Sequence, residues 1–229
     1  RPRGPISCGV EEPNALLGLG QGGRFEPNQR ATTTPLVAGM VTSAQNCWPS
    51  LTADVGAVNN WLYRFFPAGF YYKTFMYPRG FWKHVFEPII RRSAGLGKAP
   101  TARDADRYEY TYSFCDVLIL GGGIAGLQAA LVAGASGARV MLLEQSAHWG
   151  GRAPVDGDVI EGKPADVWIN SAVQTLGTLD NVSMRLRTMG SGVYDHGYVL
   201  AEEKIADTTP GDGRPKKRLW RIRAKQIVT

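Results

Sequence analysis

The residues best suited to chemistry lie between Cys115 and Gln145. Gly121-x-Gly123-x-x-Gly126 sits between an apolar run at 116–120 and a stretch of helical character. Each glycine has a separate reason to be there. Gly121 permits a tight turn, Gly123 lets backbone approach a pyrophosphate, and Gly126 lets a helix press against a strand. The amides that open the helix, led by Ile124 and Ala125, point outward with the positive end of the helix dipole and suit phosphate. Glu144 lies 18 residues beyond Gly126, where a second strand should end. A carboxylate there accepts the hydroxyls of an adenine ribose and repels a 2′-phosphate, which favours NAD or FAD over NADP. Gly150-Gly151-Arg152 follows. It reads either as a loop that brings Gly151 and Arg152 to the same pyrophosphate or as a plain surface turn.

Several other chemistries lack their residues. Cys8, Cys47 and Cys115 form no CxxC pair and no four-ligand set, which removes support for zinc, an iron–sulfur cluster or a redox disulfide. His84, His148 and His196 are scattered and read as surface or structural histidines. The thiols are expected to be reduced, as in a cytoplasmic protein. No apolar run of about 20 residues occurs, so no membrane span is expected. The net charge is +6, and its excess falls in the first half, with 13 Lys+Arg against 8 Asp+Glu over residues 1–112. This modest excess does not demand nucleic acid.

The elements that must position the glycine turn follow from pattern. Residues 116–120 read as a strand buried on both faces, 126–137 as a helix with small residues for close packing, and 139–144 as the second strand. A helix over 164–176 opens on a proline, and 182–187 is a third strand. Strands over 198–205 and 219–228, joined by a turn at 209–213, form an antiparallel excursion inserted in a parallel three-layer fold. The basic run Arg214, Lys216, Lys217 and Arg218 reads as a solvated tip of that excursion.

The first half is less regular. Residues 1–35 are rich in turn formers, 36–41 could form one strand, and 88–95 reads as a short helix closed by glycine. The stretch 61–86 carries 12 of the 23 aromatics with Lys and Arg interleaved. It is compatible with the core of a loop-rich domain, a subunit interface or a base-stacking surface. The polar segment 98–106 reads as a linker or surface excursion, and the chain divides into residues 1–112 and 113–229.

The motifs now become specific together. Arg1-Pro2-Arg3-Gly4, Glu11-Glu12-Pro13-Asn14-Ala15-Leu16 and Ser43-Ala44-Gln45-Asn46-Cys47-Trp48-Pro49-Ser50 resemble the alpha subunit of heterotetrameric sarcosine oxidase. So do Ala68-Gly69-Phe70-Tyr71-Tyr72-Lys73-Thr74-Phe75-Met76 and Ala94-Gly95-Leu96-Gly97, and the resemblance continues through the glycine turn to Tyr194-Asp195.

The resemblance implies an N-terminal fragment of a longer chain. Residues 1–112 would be the later part of a ferredoxin-like domain without a cluster plus an aromatic-rich linker. Residues 113–229 would be an incomplete Rossmann-like FAD/NAD(P)-binding domain. It implies NAD bound here and outside the redox reaction, with FAD, FMN and tetrahydrofolate elsewhere in a complex with beta, gamma and delta subunits, and no nucleic acid or membrane partner. The family's reaction turns sarcosine and oxygen into glycine, peroxide and a folate-bound one-carbon unit. Carried over by position, NAD contacts fall on Ala125, Glu144 and Gln145, with Arg152 and Gly190 as further contacts, Gly190 through backbone alone. No catalytic residue is implied. Alpha subunits of opine oxidase or of cyanide-forming glycine dehydrogenase share these patterns. A stand-alone FAD/NAD-dependent oxidoreductase of the disulfide-reductase type would need a redox CxxC that the chain lacks.

Overall fold

The computed structural model describes residues 16–45, 47–65, 69, 75–104, 106–206 and 214–229, without the side chains of Thr33 and Tyr63. The expected turn at 209–213 lies outside the described residues, as do residues 1–15. The chain forms two compact units, Arg1–Ala105 and Asp106–Thr229.

In the first unit, β1 (Leu16–Leu19), β2 (Glu26–Arg30) and β3 (Thr42–Ala44) form an antiparallel sheet in the order β2-β1-β3. The strand expected over 36–41 is not there. Met40 N–H instead bonds Val37 C=O in a turn, Gly39 takes φ +77°, and the strand begins at Thr42. Helix α1 (Asn59–Leu62) is a single turn. Helix α2 (Glu87–Ser93) follows a π-helical turn over Trp82–Phe86, with Pro88 in its first turn. It closes as expected: Gly95 has φ +78°, its N–H bonds Arg92 C=O, and Leu96 N–H bonds Arg91 C=O.

Gln45 ties these pieces together. Its Nε2 donates to Asn28 Oδ1 at 2.9 Å and to Gly95 C=O at 3.1 Å, and its Oε1 accepts Asn28 N–H at 2.9 Å. Of the described rings of 61–86, Trp61, Phe65, Tyr77, Phe81 and Trp82 are exposed, while Phe75 and Phe86 are half-buried with centroids 5.0 Å apart.

The second unit carries the glycine turn. Its elements are β4 (Tyr108–Leu120), α3 (Ile124–Ala135), β5 (Val140–Leu143), α4 (Ala153–Asp156), a small β6–β7 hairpin (Val159–Ile160 and Lys163–Pro164), α5 (Ala165–Gly177), β8 (Val182–Arg185), β9 (Thr188–Tyr194), β10 (Tyr198–Lys204) and β11 (Lys217–Val228). The main sheet runs β8-β5-β4-β11-β10-β9. Strands β8, β5, β4 and β11 pair in parallel, while β11-β10-β9 is an antiparallel meander. This is the mixed α/β architecture expected, with the excursion in place. Strand β9 was not anticipated, because Gly190, Ser191 and Gly192 are poor strand formers.

Two apolar clusters fill this unit. One face of the parallel strands packs Ile119, Val140 and Leu142 against Leu127 and Ala130 of α3 and Trp168, Ile169 and Leu176 of α5. Gly134 of α3 sits so close that an added Cβ would meet Val182 Cγ2 at 2.8 Å. This is the close packing that the small residues predicted. The other face packs Leu118, Met141 and Leu143 against Val199, Ala201, Trp220 and Ile222, so the meander covers it. Each fully buried Leu contributes about 1.5–3 kcal/mol by leaving water.

Strand β4 is eight residues longer at its start than the apolar run suggested, and it pairs with β11 from Tyr108–Lys217 to Ile119–Val228. Its alternation slips once. Cys115 and Leu118 join one cluster while Val117 and Ile119 join the other. The slip is at Asp116, where the amides of Asp116 and Val117 both donate to Arg139 C=O. Asp116 Oδ2 accepts Arg139 N–H at 2.9 Å and Oδ1 pairs with Lys225 Nζ at 2.8 Å. The Lys225 bond, then the Arg139 bonds, hold this carboxyl well below the ordinary carboxylate range.

The expected solvated tip is corrected in part. Lys216 is buried and pairs with the buried Asp106 at 2.7 Å. Arg218 bonds Glu109 at 2.8 Å and Glu203 at 3.0 Å, and lies over the Trp220 ring. These charges latch the start of β11 to that of β4 rather than face water.

Candidate functional site: the glycine turn and its acidic neighbour

The turn after β4 is built as its spacing predicts. Gly121 takes φ +116° and its N–H bonds Leu143 C=O at 2.8 Å, holding the ends of β4 and β5 level. Gly126 meets the Gly121 carbonyl so closely that any Cβ would overlap it. Gly123 is the N-cap of α3, with no side-chain cap and no acid in the first turn. The first intrahelical bond is Leu127 N–H to Gly123 C=O. The amides of Ile124, Ala125 and Gly126 therefore precede the helical ladder, the position from which helices bind anions. A Cβ at Gly123 would meet nothing within 4 Å, so the space before the helix is open.

Glu144 follows β5 and is only 7% exposed. Its Oε2 accepts Gly122 N–H and its Oε1 accepts Ser146 N–H, each at 2.7 Å. Its own amide bonds Arg185 C=O at 2.8 Å, and its carbonyl accepts Thr188 N–H at 2.8 Å. The carboxylate is thus fixed beside the turn. A carboxylate has about four lone-pair positions, so two remain for further donors. Gln145, next in the chain, is exposed.

The Gly150-Gly151 loop joins the same place. Gly150 N–H bonds Gly122 C=O at 2.7 Å and the loop bridges Gly123. Gly150 and Gly151 take φ +99° and +60°, and a Cβ on Gly151 would lie 3.5 Å from Gly123 Cα. The loop therefore lies against the glycine turn. Arg152 is the N-cap of α4. Its guanidinium is exposed and pairs with Asp156 at 2.9 Å, holding the Asp156 carboxyl below its usual range. Gly190 in β9 is also adjacent: a Cβ there would lie 3.1 Å from Leu120, the residue before Gly121.

One participant had no sequence signal beyond its place before the glycine pair. The Trp149 ring lies on Gly122, with Cζ3 2.7 Å from where a Cβ would stand, and Glu144 Cβ is 2.8 Å from the same point. The middle glycine of the GGG run therefore makes room for an indole. Among the described residues no group of three or more His, Cys, Asp or Glu could hold a metal, and no helix is long and apolar enough to cross a membrane.

Residues 116–175, which span β4 to α5, match a family described as FAD dependent oxidoreductase. Over its whole length the chain is 45% identical to sarcosine oxidase subunit alpha of Rhizobium meliloti (strain 1021) and 31% identical to that of Corynebacterium sp. (strain U-96). From end to end this chain is similar to sarcosine oxidase alpha subunits. It spans 23% and 19% of those two relatives. The glycine turn, Glu144 and the 150–152 loop thus lie in a segment shared with sarcosine oxidase alpha subunits. Among solved structures, L-proline dehydrogenase from P. horikoshii is similar over 58% of this chain and 26% of that one, at 25% identity and TM-score 0.39.

Proposed function

We propose that this chain is the dinucleotide-binding part of the alpha subunit of a sarcosine oxidase complex, and that it binds NAD. The observation that carries the reading is the convergence of an uncapped helix start, an open approach at Gly123 and an anchored carboxylate at Glu144. The amides of Ile124, Ala125 and Gly126 would hold the pyrophosphate, with Gly121 and Gly123 giving the turn its shape and Gly151 keeping the second loop clear. Glu144 would accept the adenine ribose hydroxyls, with Gln145 beside it. Arg152 would add a cation near the phosphates, and Gly190 a backbone contact. Nicotinamide supplies hydride chemistry when it reacts. In this reading the chain only binds and orients it, and electrons pass through FAD and FMN elsewhere in the assembly.

The ferredoxin-like remnant in residues 1–112, the beta, gamma and delta subunits, the tetrahydrofolate step and a cytoplasmic setting belong to the same proposal. They are supported by the length-wide similarity to sarcosine oxidase alpha subunits. FAD in the glycine turn is the second reading, favoured by the family match over 116–175. Acid release of nucleotide from the purified full-length protein separates the two. One equivalent of NAD is expected, and one of FAD would overturn the assignment. With its co-expressed subunits, the protein should convert sarcosine and oxygen to glycine and peroxide while bound NAD keeps its absorbance. Reduction of that NAD during turnover would overturn the non-reacting role.

A further inference from the structure

The helices that cover one face of the parallel sheet do not reach its lower half. Before the slip at Asp116, the residues of β4 on the helix side are Tyr108, Tyr110, Tyr112 and Phe114. They remain 47%, 63%, 68% and 69% exposed. Over these rings β4 pairs with β11, while β5 joins it only from Val117 to Leu120. Four adjacent rings on this strand leave on the order of 500 Å² of apolar surface in water, taking about 200 Å² per ring. That matches the largest patch of a typical monomer, which is often functional.

The neighbouring strand adds charge. Arg221 lies over the Tyr110 and Tyr112 rings, 5.4 Å from each centroid, and donates to Tyr112 Oη at 2.6 Å. Arg223 lies 5.1 Å from the Tyr198 centroid and donates to His196 C=O at 3.1 Å. Neither arginine makes an ion pair with a described residue, whereas Arg218, on the opposite face of the same strand, has both Glu109 and Glu203. Rings and arginines together are the composition of an interface core.

We propose that this face of β4 and β11 docks an acidic protein partner, a second polypeptide that sets carboxylates over Arg221 and Arg223 and apolar side chains over the four rings. A second copy of the chain would bring arginine against arginine. A nucleic-acid backbone would meet Glu202, paired with Lys217 at one end of the face, and Asp116, paired with Lys225 at the other. Discrete carboxylates fit between those acids where a continuous run of phosphates does not. With the stems of the arginines and Tyr194 and Tyr198 included, the face approaches the roughly 800 Å² per partner of a standard interface. The proposal rests on the reading of this chain as one subunit of an assembly.

Hydroxyl-radical footprinting with mass spectrometry tests it. The full-length protein is compared alone and in the assembly purified with its co-expressed subunits. Oxidation of Tyr110, Tyr112 and Phe114 should fall at least roughly fivefold in the assembly only. The double substitution Arg221→Glu with Arg223→Glu should restore the oxidation and weaken the partner by roughly tenfold or more, as loss of paired interface charges does. Calorimetry of NAD binding to the same variant should be unchanged, so a failed dinucleotide assignment and a failed docking surface give different results. The proposal is overturned if the rings are already protected in the lone full-length chain, or if they stay reactive in the assembly. It also fails if an oligonucleotide rather than a protein protects them, or if the double variant binds its partner normally.

Discussion

Replacing Glu144 by Gln keeps the shape of the side chain and removes its charge. In the native arrangement two backbone amides, Gly122 and Ser146, each donate to one carboxylate oxygen at 2.7 Å. A carboxamide has one oxygen, so its NH₂ group must face one of these N–H donors. A bond to a charged acceptor is worth about 1.5–3 kcal/mol, and an unsatisfied buried donor costs about 1–3 kcal/mol. A loss near 2 kcal/mol follows, which lowers the melting temperature of a unit this size by roughly 8 °C. This loss is present without any dinucleotide. Binding adds a separate effect: the ribose hydroxyls lose a charged acceptor, and NAD affinity should fall by about tenfold or more. Differential scanning calorimetry without ligand and titration calorimetry with NAD measure the two effects independently. Unchanged melting would refute the anchoring geometry. Lower melting with unchanged affinity would leave Glu144 as a brace for the turn and remove it from ribose recognition.

The Gly122–Trp149 contact predicts a suppressor: Gly122→Ala should destabilise by about 1–3 kcal/mol through overpacking, and adding Trp149→Leu should recover the part due to the indole but not that due to Glu144 Cβ, read by denaturant unfolding. Cys115 is buried and its thiol is pushed up to about 11, first by burial and then by Asp116, so iodoacetamide at pH 8 should label it only after denaturation. Because this pKa is raised on folding, the contribution of Cys115 to stability should be constant below about pH 9 and fall as pH climbs from there toward 11, an effect that Cys115→Ala removes. The Asp116 carboxyl is held low by Lys225 and Arg139, so its contribution is present above the ordinary carboxylate pKa of about 4 and fades only as pH drops below it. The acid limb of an unfolding profile should therefore flatten in Asp116→Asn.

The strand–turn–helix–strand unit was legible because several local rules agreed there. A continuous apolar run, three spaced glycines and an acid 18 residues on each demand the same geometry. The rest required partners distant in the chain. The first half of β4 alternates aromatic and polar residues over 108–114, a strand pattern concealed by the linker before it and by the slip at Asp116 after it. The charges of 214–218 look solvated until Asp106 is placed beside Lys216, 110 residues away. Trp149 could be found only from the structure, since nothing local says that an indole needs the middle glycine of GGG. Gln45 illustrates the reverse. Its motif was distinctive in the sequence, and the structure supplies the cause: one amide side chain bonds both Asn28 and the Gly95 carbonyl.

The length of β4 has a further consequence. The four rings and the glycine turn belong to one strand, hydrogen-bonded to β11 from Tyr108 to Ile119. At about 3.3 Å per residue, Phe114 and Gly121 are separated by roughly 20 Å of paired backbone. Such a strand does not stretch, so it acts as a ruler. Whatever seats on the rings is held at a set spacing from whatever occupies the turn, and that spacing is changed by inserting or deleting residues in both strands together, not by loosening a loop.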